Sequence, residues 1–133
     1  MAKRTAEPRW LTRVVVDAIH ADQLRQHGGL AGVRDDNVLE SALARARQKW
    51  SYDERDIAVL AAAYGFGLAR NHPYRDGNKR IALLVLATFL GINGYALETT
   101  DADVVTTMLN LADGSLGEEQ LAEWIRGRIT GPA

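Results

Sequence analysis

The chain has 133 residues, with 16 lysines and arginines against 17 aspartates and glutamates, and it contains no cysteine. This length predicts a single domain with its own hydrophobic core, and the lack of cysteine excludes a disulfide framework and a thiolate metal site. The balanced, interspersed charge argues against direct nucleic-acid binding, and no apolar run suits a signal peptide or a membrane span.

The first helix is predicted to run from an N-cap at Thr12 to about His27, where two glycines end it. Residues 1–9 are expected to form a frayed leader. His20 and His27 are predicted to be ordinary polar residues of this helix. Its predicted buried face consists of Val15, Val16, Ala18, Ile19 and Leu24.

A glycine-punctuated loop over residues 28–35 follows. It lacks the Lys-Ser/Thr ending of a Walker phosphate loop, so we predict a structural turn. The second helix is predicted to start within residues 35–37, where Asn37 and Glu40 form a pattern similar to a capping box. A connection over residues 50–53 ends it.

The third and fourth helices carry the strongest apolar patterns. Residues 54–71 place apolar side chains on one stripe, and a proline then ends the helix, with His72 at its C-terminal edge. Gly65 and Gly67 weaken a helix, so we expect close packing against a neighbouring helix there. Residues 80–92 are apolar on nearly every side, which predicts the central helix of a bundle.

The C-terminal third of the chain predicts two more helices. Capping-box patterns at residues 100–103 and 115–118 open them, and they are predicted to reach about Ala112 and Arg128. Residues 95–98 are predicted to be a short extended piece. These patterns together predict an all-α fold, a compact single-domain bundle of about six helices. The loop after the third helix would lead into the buried central helix.

That loop concentrates the groups that handle phosphate, since residues 72–80 read His-Pro-Tyr-Arg-Asp-Gly-Asn-Lys-Arg. His72 can exchange a proton near neutral pH. Asp76 supplies the hard oxygen ligand that a partly hydrated Mg²⁺ prefers. Gly77 lets the backbone approach a ligand closely.

The end of the same stretch adds positive charge. Asn78 is predicted to cap the fourth helix, whose first N–H groups favour anions. Lys79 and Arg80 place cations at the positive end of the helix dipole, and a bound polyphosphate explains them most simply. Taken singly, each of these residues also fits a turn or a solvated surface. Their coincidence within nine residues favours a phosphate site.

This stretch resembles the signature of the Fic/Doc superfamily, His-Pro-Phe-x-Asp-Gly-Asn-Gly-Arg-x-x-Arg. Here Tyr74 replaces the phenylalanine, Lys79 replaces the second glycine and Leu83 replaces the final arginine. These departures are typical of the Doc (death-on-curing) branch, and residues 28–35 also resemble a Gly-Gly-Leu-x-Gly-x-Arg-Asp segment of Doc proteins. The resemblance extends over roughly residues 12–128 and implies a small helical Fic-type fold.

The resemblance implies an enzyme that transfers part of ATP to a protein hydroxyl. His72 would then be the general base, and Asp76 would hold Mg²⁺. The aromatic Tyr74 is expected to anchor the loop to the core if its hydroxyl finds a partner. The phosphates would be bound by Gly77, Asn78, Lys79 and Arg80.

Leu83 bears on which part of ATP is transferred. In AMP-transferring Fic enzymes the final arginine of the motif helps to fix the phosphates, and a leucine cannot do so. The resemblance to the Doc branch therefore implies transfer of the γ-phosphate to a Ser/Thr hydroxyl of a target protein. Elongation factor Tu is the best-known target of the family, with arrest of translation as the outcome. AMP transfer and a non-enzymatic binding module remain as alternatives.

Some Fic enzymes carry an inhibitory Ser/Thr-x-x-x-Glu-Gly/Asn helix. Ser115 and Glu119 match it only partly, because Gln120 follows where glycine or asparagine should stand. Restraint is therefore expected from a separate antitoxin protein, as in Doc toxin–antitoxin systems. The absence of cysteine fits a reducing compartment, and we expect a cytoplasmic protein.

Overall fold

Six helices and a two-stranded sheet make up residues 6–132, which are the residues that this computed structural model describes. The predicted all-α fold with about six helices is therefore confirmed. In chain order the elements are α1 (Arg13–His27), α2 (Asp36–Ser51), α3 (Ile57–Asn71), α4 (Asn78–Ile92), β1 (Ala96–Leu97), α5 (Asp101–Asp113), α6 (Glu118–Arg126) and β2 (Ile129–Thr130).

The predicted leader lies partly outside the described residues, which begin at residue 6. Residues 6–12 form no helix. The backbone of Arg9 is held by Asn93, whose amide oxygen accepts the Arg9 N–H at 2.8 Å and whose amide nitrogen donates to the Arg9 carbonyl at 3.1 Å. The segment just before α1 is thus fastened to the end of α4.

The start of α1 follows the prediction, and its buried face follows it in part. Thr12 caps the helix, its hydroxyl accepting the Val15 N–H at 3.3 Å. Val16 and His20 are buried, whereas Val15 is 41 % exposed and Ala18 is also exposed. The predicted face is thus confirmed for Val16, and Ile19 packs half-buried against the core. It was wrong for Val15 and Ala18, because α1 packs on α4 and on the loop before it along a narrow stripe that contains Val16 and His20.

The start of α2 at Asp36 falls within the predicted residues 35–37, whereas the start of α3 differs from the prediction. The N-cap of α2 is Asp35, which accepts the Val38 N–H at 3.1 Å, so the capping pattern predicted at Asn37 was wrong. Helix α3 begins at Ile57 rather than at residue 54, because Asp56 accepts the Ala58 N–H at 2.9 Å. In both cases an aspartate supplies the cap, as is common.

The centre of the bundle is shared by α3 and α4. Helix α3 packs against α2, α4, α5 and α6, and two thirds of its residues are buried. Helix α4 buries one broad face on α3 rather than nearly every side. A Cβ on Gly65 would lie 2.6 Å from a methyl of Leu86, and one on Gly67 would lie 2.9 Å from Arg45 Cδ. The close packing predicted at these glycines is thus present.

The C-terminal elements include one confirmed cap and one corrected cap. Thr100 caps α5 by accepting the Asp103 N–H at 3.1 Å. The pattern predicted at Ser115 was wrong, since its hydroxyl donates to the Asn110 carbonyl and α6 starts only after Gly117.

The end of the chain returns to α4 through a small sheet. Strands β1 and β2 pair antiparallel, which confirms the extended piece predicted at residues 95–98. The sixth helix ends at Arg126 rather than at residue 128, because a turn over residues 127 and 128 leads into β2. No helix among the described residues is long and apolar enough to cross a membrane.

Candidate active site

The loop between α3 and α4 begins with an unusual backbone conformation at His72. Helix α3 ends at Asn71, and His72 adopts a left-handed conformation with φ of 47°. Its imidazole is exposed. Arg34 holds the turn, donating from Nε to the His72 carbonyl at 2.7 Å and from Nη2 to the Asn71 carbonyl at 2.9 Å. The candidate base therefore lies at the C-terminal end of α3, where the guanidinium of Arg34 binds the last backbone carbonyls.

The glycine-punctuated segment before α2 supports this loop. Val33 and Tyr74 form an antiparallel bridge. The Arg34 N–H donates to the Pro73 carbonyl at 2.8 Å, and the Arg75 N–H donates to the Gly32 carbonyl at 3.1 Å. The predicted structural turn thus has a defined role, since residues 32–35 pair with residues 73–75 of the loop before α4.

The side chain of Tyr74, a residue of the loop, packs beneath it in the position predicted for an anchor. Its side chain is 2 % exposed, and its hydroxyl donates to Asp17 at 2.7 Å. Its ring stacks on that of His20. Burial raises the pKa of Tyr74 above its ordinary value, and the hydrogen bond to Asp17 raises it further. The phenol is therefore neutral and serves as a hydrogen-bond donor.

Asn78 is not the cap of α4, and that prediction was wrong. It is the first residue of the helix, and its side chain bonds the backbone of Tyr74 twice, accepting from the N–H and donating to the carbonyl, both at 3.0 Å. The N-cap is Gly77, with φ of 76°, and no side chain caps the helix. Among the described residues, the first N–H groups of α4 therefore have no protein acceptor, and they favour an anion.

Asp76 precedes this open helix end. Its carboxylate is exposed and accepts the Gly77 N–H at 3.0 Å and the Leu30 N–H at 3.3 Å. No group of three or more acidic, histidine or cysteine side chains that could hold a metal occurs within residues 6–132. Mg²⁺ needs no such group, because one carboxylate together with substrate phosphates and water commonly completes its coordination. Asp76 fits that way of binding.

These side chains surround one cavity of about 400 Å³, a size within the usual range of small-molecule sites. Within the described residues, the exposed cations Lys79 and Arg80 make no ion pair, so their charge is open to a ligand. The structure thus brings together every predicted site residue except the buried Tyr74. The cavity is lined by His72, Arg75, Asp76, Gly77, Asn78, Lys79 and Arg80.

A model of the Fic/DOC family matches residues 10–90, more than half of the chain, including the whole loop. The chain belongs to the Fic/Doc family. It is similar to "Protein kinase doc" of Escherichia phage P1, with 29 % identity over 117 residues that make up 87 % of this chain and 91 % of that protein. It is also similar to "Toxin Doc" of Mycolicibacterium smegmatis, with 41 % identity over 87 residues, or 62 % of this chain and 66 % of that protein.

These two relatives place the chain in the Doc branch of the Fic/Doc family, as the motif departures predict. Three residues at the site of this Doc-branch protein were missed by sequence reasoning. Arg34 closes the end of α3, and Arg75 lines the cavity. His20, predicted to be an ordinary polar residue, is buried against the loop. Its position four residues after Val16, on the buried stripe, was the one signal that could have found it.

Proposed function

We propose that this protein is a Doc-type toxin that transfers the γ-phosphate of ATP to a Ser/Thr hydroxyl of a target protein. One observation carries the proposal. An exposed imidazole, a carboxylate and an uncapped helix N-terminus flanked by two free cations surround the same cavity. Phosphoryl transfer depends mainly on positioning and on neutralising charge, and this arrangement supplies both.

His72 acts as the general base in the proposed reaction. It takes the proton of the acceptor hydroxyl, whose oxygen forms a bond to the γ-phosphorus. The bond from that phosphorus to the bridging oxygen breaks, and ADP leaves with the electron pair. Proton transfer by a positioned base contributes about 10²–10⁴-fold to the rate of such reactions.

The other residues of the loop bind the nucleotide. Asp76 holds Mg²⁺, which neutralises phosphate charge when it is bound. The N–H groups that follow Gly77 donate to a phosphate at the positive end of the α4 dipole. Lys79 and Arg80 add charge at the same point, whereas Asn78 acts indirectly by tying the helix start to Tyr74.

Leu83 favours transfer of the γ-phosphate over transfer of AMP. It lies half-buried on α4, where the family motif has its last arginine, and it offers no charge to fix the phosphates for attack at the α-position. The name of the phage relative, a protein kinase, supports the same choice. AMP transfer remains the second candidate, because the proposed base His72, the proposed metal ligand Asp76 and Arg80 match the pattern common to both branches.

Membership of the Doc branch supports a proposal for the target and for the regulator. We propose translation elongation factor Tu as the target, with translation arrest as the outcome, and an antitoxin protein as the inhibitor. The partial inhibitory motif does not enter the cavity. Ser115 lies in the turn between α5 and α6 and Glu119 in the first turn of α6, and neither lines the cavity. ATP and the translation machinery share the cytoplasm, where we place the activity.

The test is label transfer to bacterial lysate, with ATP labelled at either the γ- or the α-phosphate, in parallel with His72→Ala. Label from the γ-position alone, lost in the variant, is the expected result. Label from the α-position would instead establish AMP transfer. Equal action of the wild-type protein and His72→Ala on protein synthesis, without label in either case, would support a binding-only module. A His27→Ala variant is the control, since His27 is exposed at the end of α1 and does not line the cavity.

A further inference from the structure

His20 contacts the active-site loop from below. It is buried, with 4 % of its surface exposed, and its ring lies nearly parallel to that of Tyr74 at a centroid distance of 3.8 Å. Its Nε2 lies 2.9 Å from the carbonyl oxygen of Asp76. Because a carbonyl oxygen can only accept, Nε2 carries the proton and His20 donates this hydrogen bond.

The main chain and the carboxylate of Asp76 are therefore held by different donors. His20 fixes the peptide carbonyl, while the N–H groups of Leu30 and Gly77 hold the two carboxylate oxygens. Gly29 leaves room for this arrangement, since a Cβ there would lie 2.9 Å from Asp76 Oδ2. Of these donors, His20 is the one side chain, so it can be altered by substitution without changing the backbone.

We propose that His20 is a positioning residue for the metal–nucleotide site. Its Nε2–H holds the Asp76 peptide so that the carboxylate is presented to the cavity in one orientation. The inference rests on the proposed function, because it takes Asp76 as the Mg²⁺ ligand. Residues that orient a metal ligand in this way typically change metal affinity by about 10–100-fold when they are removed.

The test compares His20→Gln with His20→Asn. Both variants lose the aromatic stacking with Tyr74, but only glutamine carries its amide nitrogen far enough from the backbone to replace Nε2. The measurement is the affinity for a non-hydrolysable ATP analogue by titration calorimetry, with Mg²⁺ and again with a chelator. His27→Asn, on the exposed end of the same helix, is the matched control.

We expect His20→Asn to weaken binding of the Mg²⁺ complex by about tenfold or more. His20→Gln should retain most of the wild-type affinity, and binding in the chelator should be the same for all variants. Equal affinities of the two variants for the Mg²⁺ complex would overturn the proposal. A loss of equal size in the chelator would also overturn it, because the role of His20 would then be structural only.

A further variant covers the case in which His20→Asn does not fold. His20→Phe keeps the ring stacked on Tyr74 but has no donor, so it should show the same loss of affinity for the Mg²⁺ complex. An unchanged affinity in folded His20→Phe would overturn the proposal. A wild-type protein that binds the analogue no better with Mg²⁺ would contradict the proposed function itself. Wild-type binding that none of the His20 variants alters would contradict this inference alone.

Discussion

Arg34 donates from Nε to the carbonyl oxygen of His72 at 2.7 Å, which ties the turn before α2 to the residue that supplies the proposed base. The same guanidinium also reaches the Asn71 carbonyl. The last carbonyls of a helix have no partner within it, and a cation suits that end of the dipole. A left-handed non-glycine residue such as His72 persists only where its surroundings hold it. Arg34 provides that hold.

Replacement of this arginine tests the contact. Arg34→Ala should lower the free energy of unfolding by about 1 kcal/mol, because an exposed charged hydrogen-bond pair at a helix end is lost. Transfer of γ-phosphate should fall as well, since the His72 backbone is released. Denaturant unfolding and the label-transfer rate measure the two effects. Arg25→Ala, whose side chain pairs with Asp22 within α1, should change neither. A normal transfer rate in Arg34→Ala would show that the contact is dispensable.

The two glycines after α1 allow a matched comparison. Both have positive φ, so alanine is strained at each, at a cost of order 1–3 kcal/mol. A Cβ on Gly28 meets nothing within 4 Å, whereas one on Gly29 meets the Asp76 carboxylate at 2.9 Å. Gly29→Ala should therefore lose phosphate transfer while folded Gly28→Ala retains it. Equal transfer rates in the two variants would mean that the carboxylate moves aside without consequence.

Asp103 predicts a pH dependence of stability that is separate from the site. Its carboxylate accepts hydrogen bonds from Thr99, Arg128 and Trp124. These bonds hold its pKa below the usual value of 3.8, the bond from Thr99 having the largest effect. A lowered pKa in the folded state stabilises the fold above the unfolded pKa, and this contribution is lost as the pH falls through the folded value.

Asp103→Asn should accordingly lower the unfolding midpoint at neutral pH. The difference from the wild-type protein should shrink as the pH falls below about 4. Thermal unfolding of both proteins at a series of pH values, from 7 to below the pKa of a free aspartate, measures this difference. Label transfer at neutral pH should be unaffected in the folded variant, since Asp103 lies on α5 and does not line the cavity. A difference that stays constant with pH would contradict the assignment.

The packing of α3 on α4 predicts that substitution of Gly65 destabilises the fold. A Cβ at this position would lie 2.6 Å from a methyl of Leu86, so Gly65→Ala overpacks the centre of the bundle. Overpacking a core costs about 1–3 kcal/mol, which outweighs the gain of up to about 1 kcal/mol in helix propensity. Gly91→Ala is the control, because a Cβ on that exposed glycine meets nothing within 4 Å. Chemical denaturation of both variants should show opposite signs of change.

The helices were predicted well because the residues that cap them and form their apolar stripes lie within a few positions of one another in the sequence. Thr12 and Thr100 accept N–H groups only three residues further on, and both caps are present. The apolar stripes of α3 and α4 likewise predicted which helices form the core. The candidate site was readable for the same reason, since its residues are consecutive and the loop brings them to one cavity.

Two kinds of contact account for what was missed. The wrong caps are local, since a helix end often has several side chains that can form the cap; Asn78, for example, bonds the backbone of Tyr74 four residues earlier instead of capping α4. The other misses depend on long-range contacts. His20 is buried only because α1 packs on a loop 56 residues later, and Arg34 acts on a helix end 38 residues away. The sequence pattern of α1 and of the turn does not indicate these contacts, because both partners lie far along the chain. Only the packing of the helices brings His20 and Arg34 to the loop.

The most direct test of the central claim is the identity of the group that the protein attaches to its target. The target labelled in lysate is purified, treated with ATP, Mg²⁺ and the wild-type protein or His72→Ala, and its intact mass and modified residue are determined by mass spectrometry. We predict the addition of one phosphoryl group to a serine or threonine, with release of ADP, and no addition with His72→Ala. Addition of AMP, or the same phosphoryl addition with His72→Ala, would contradict the account.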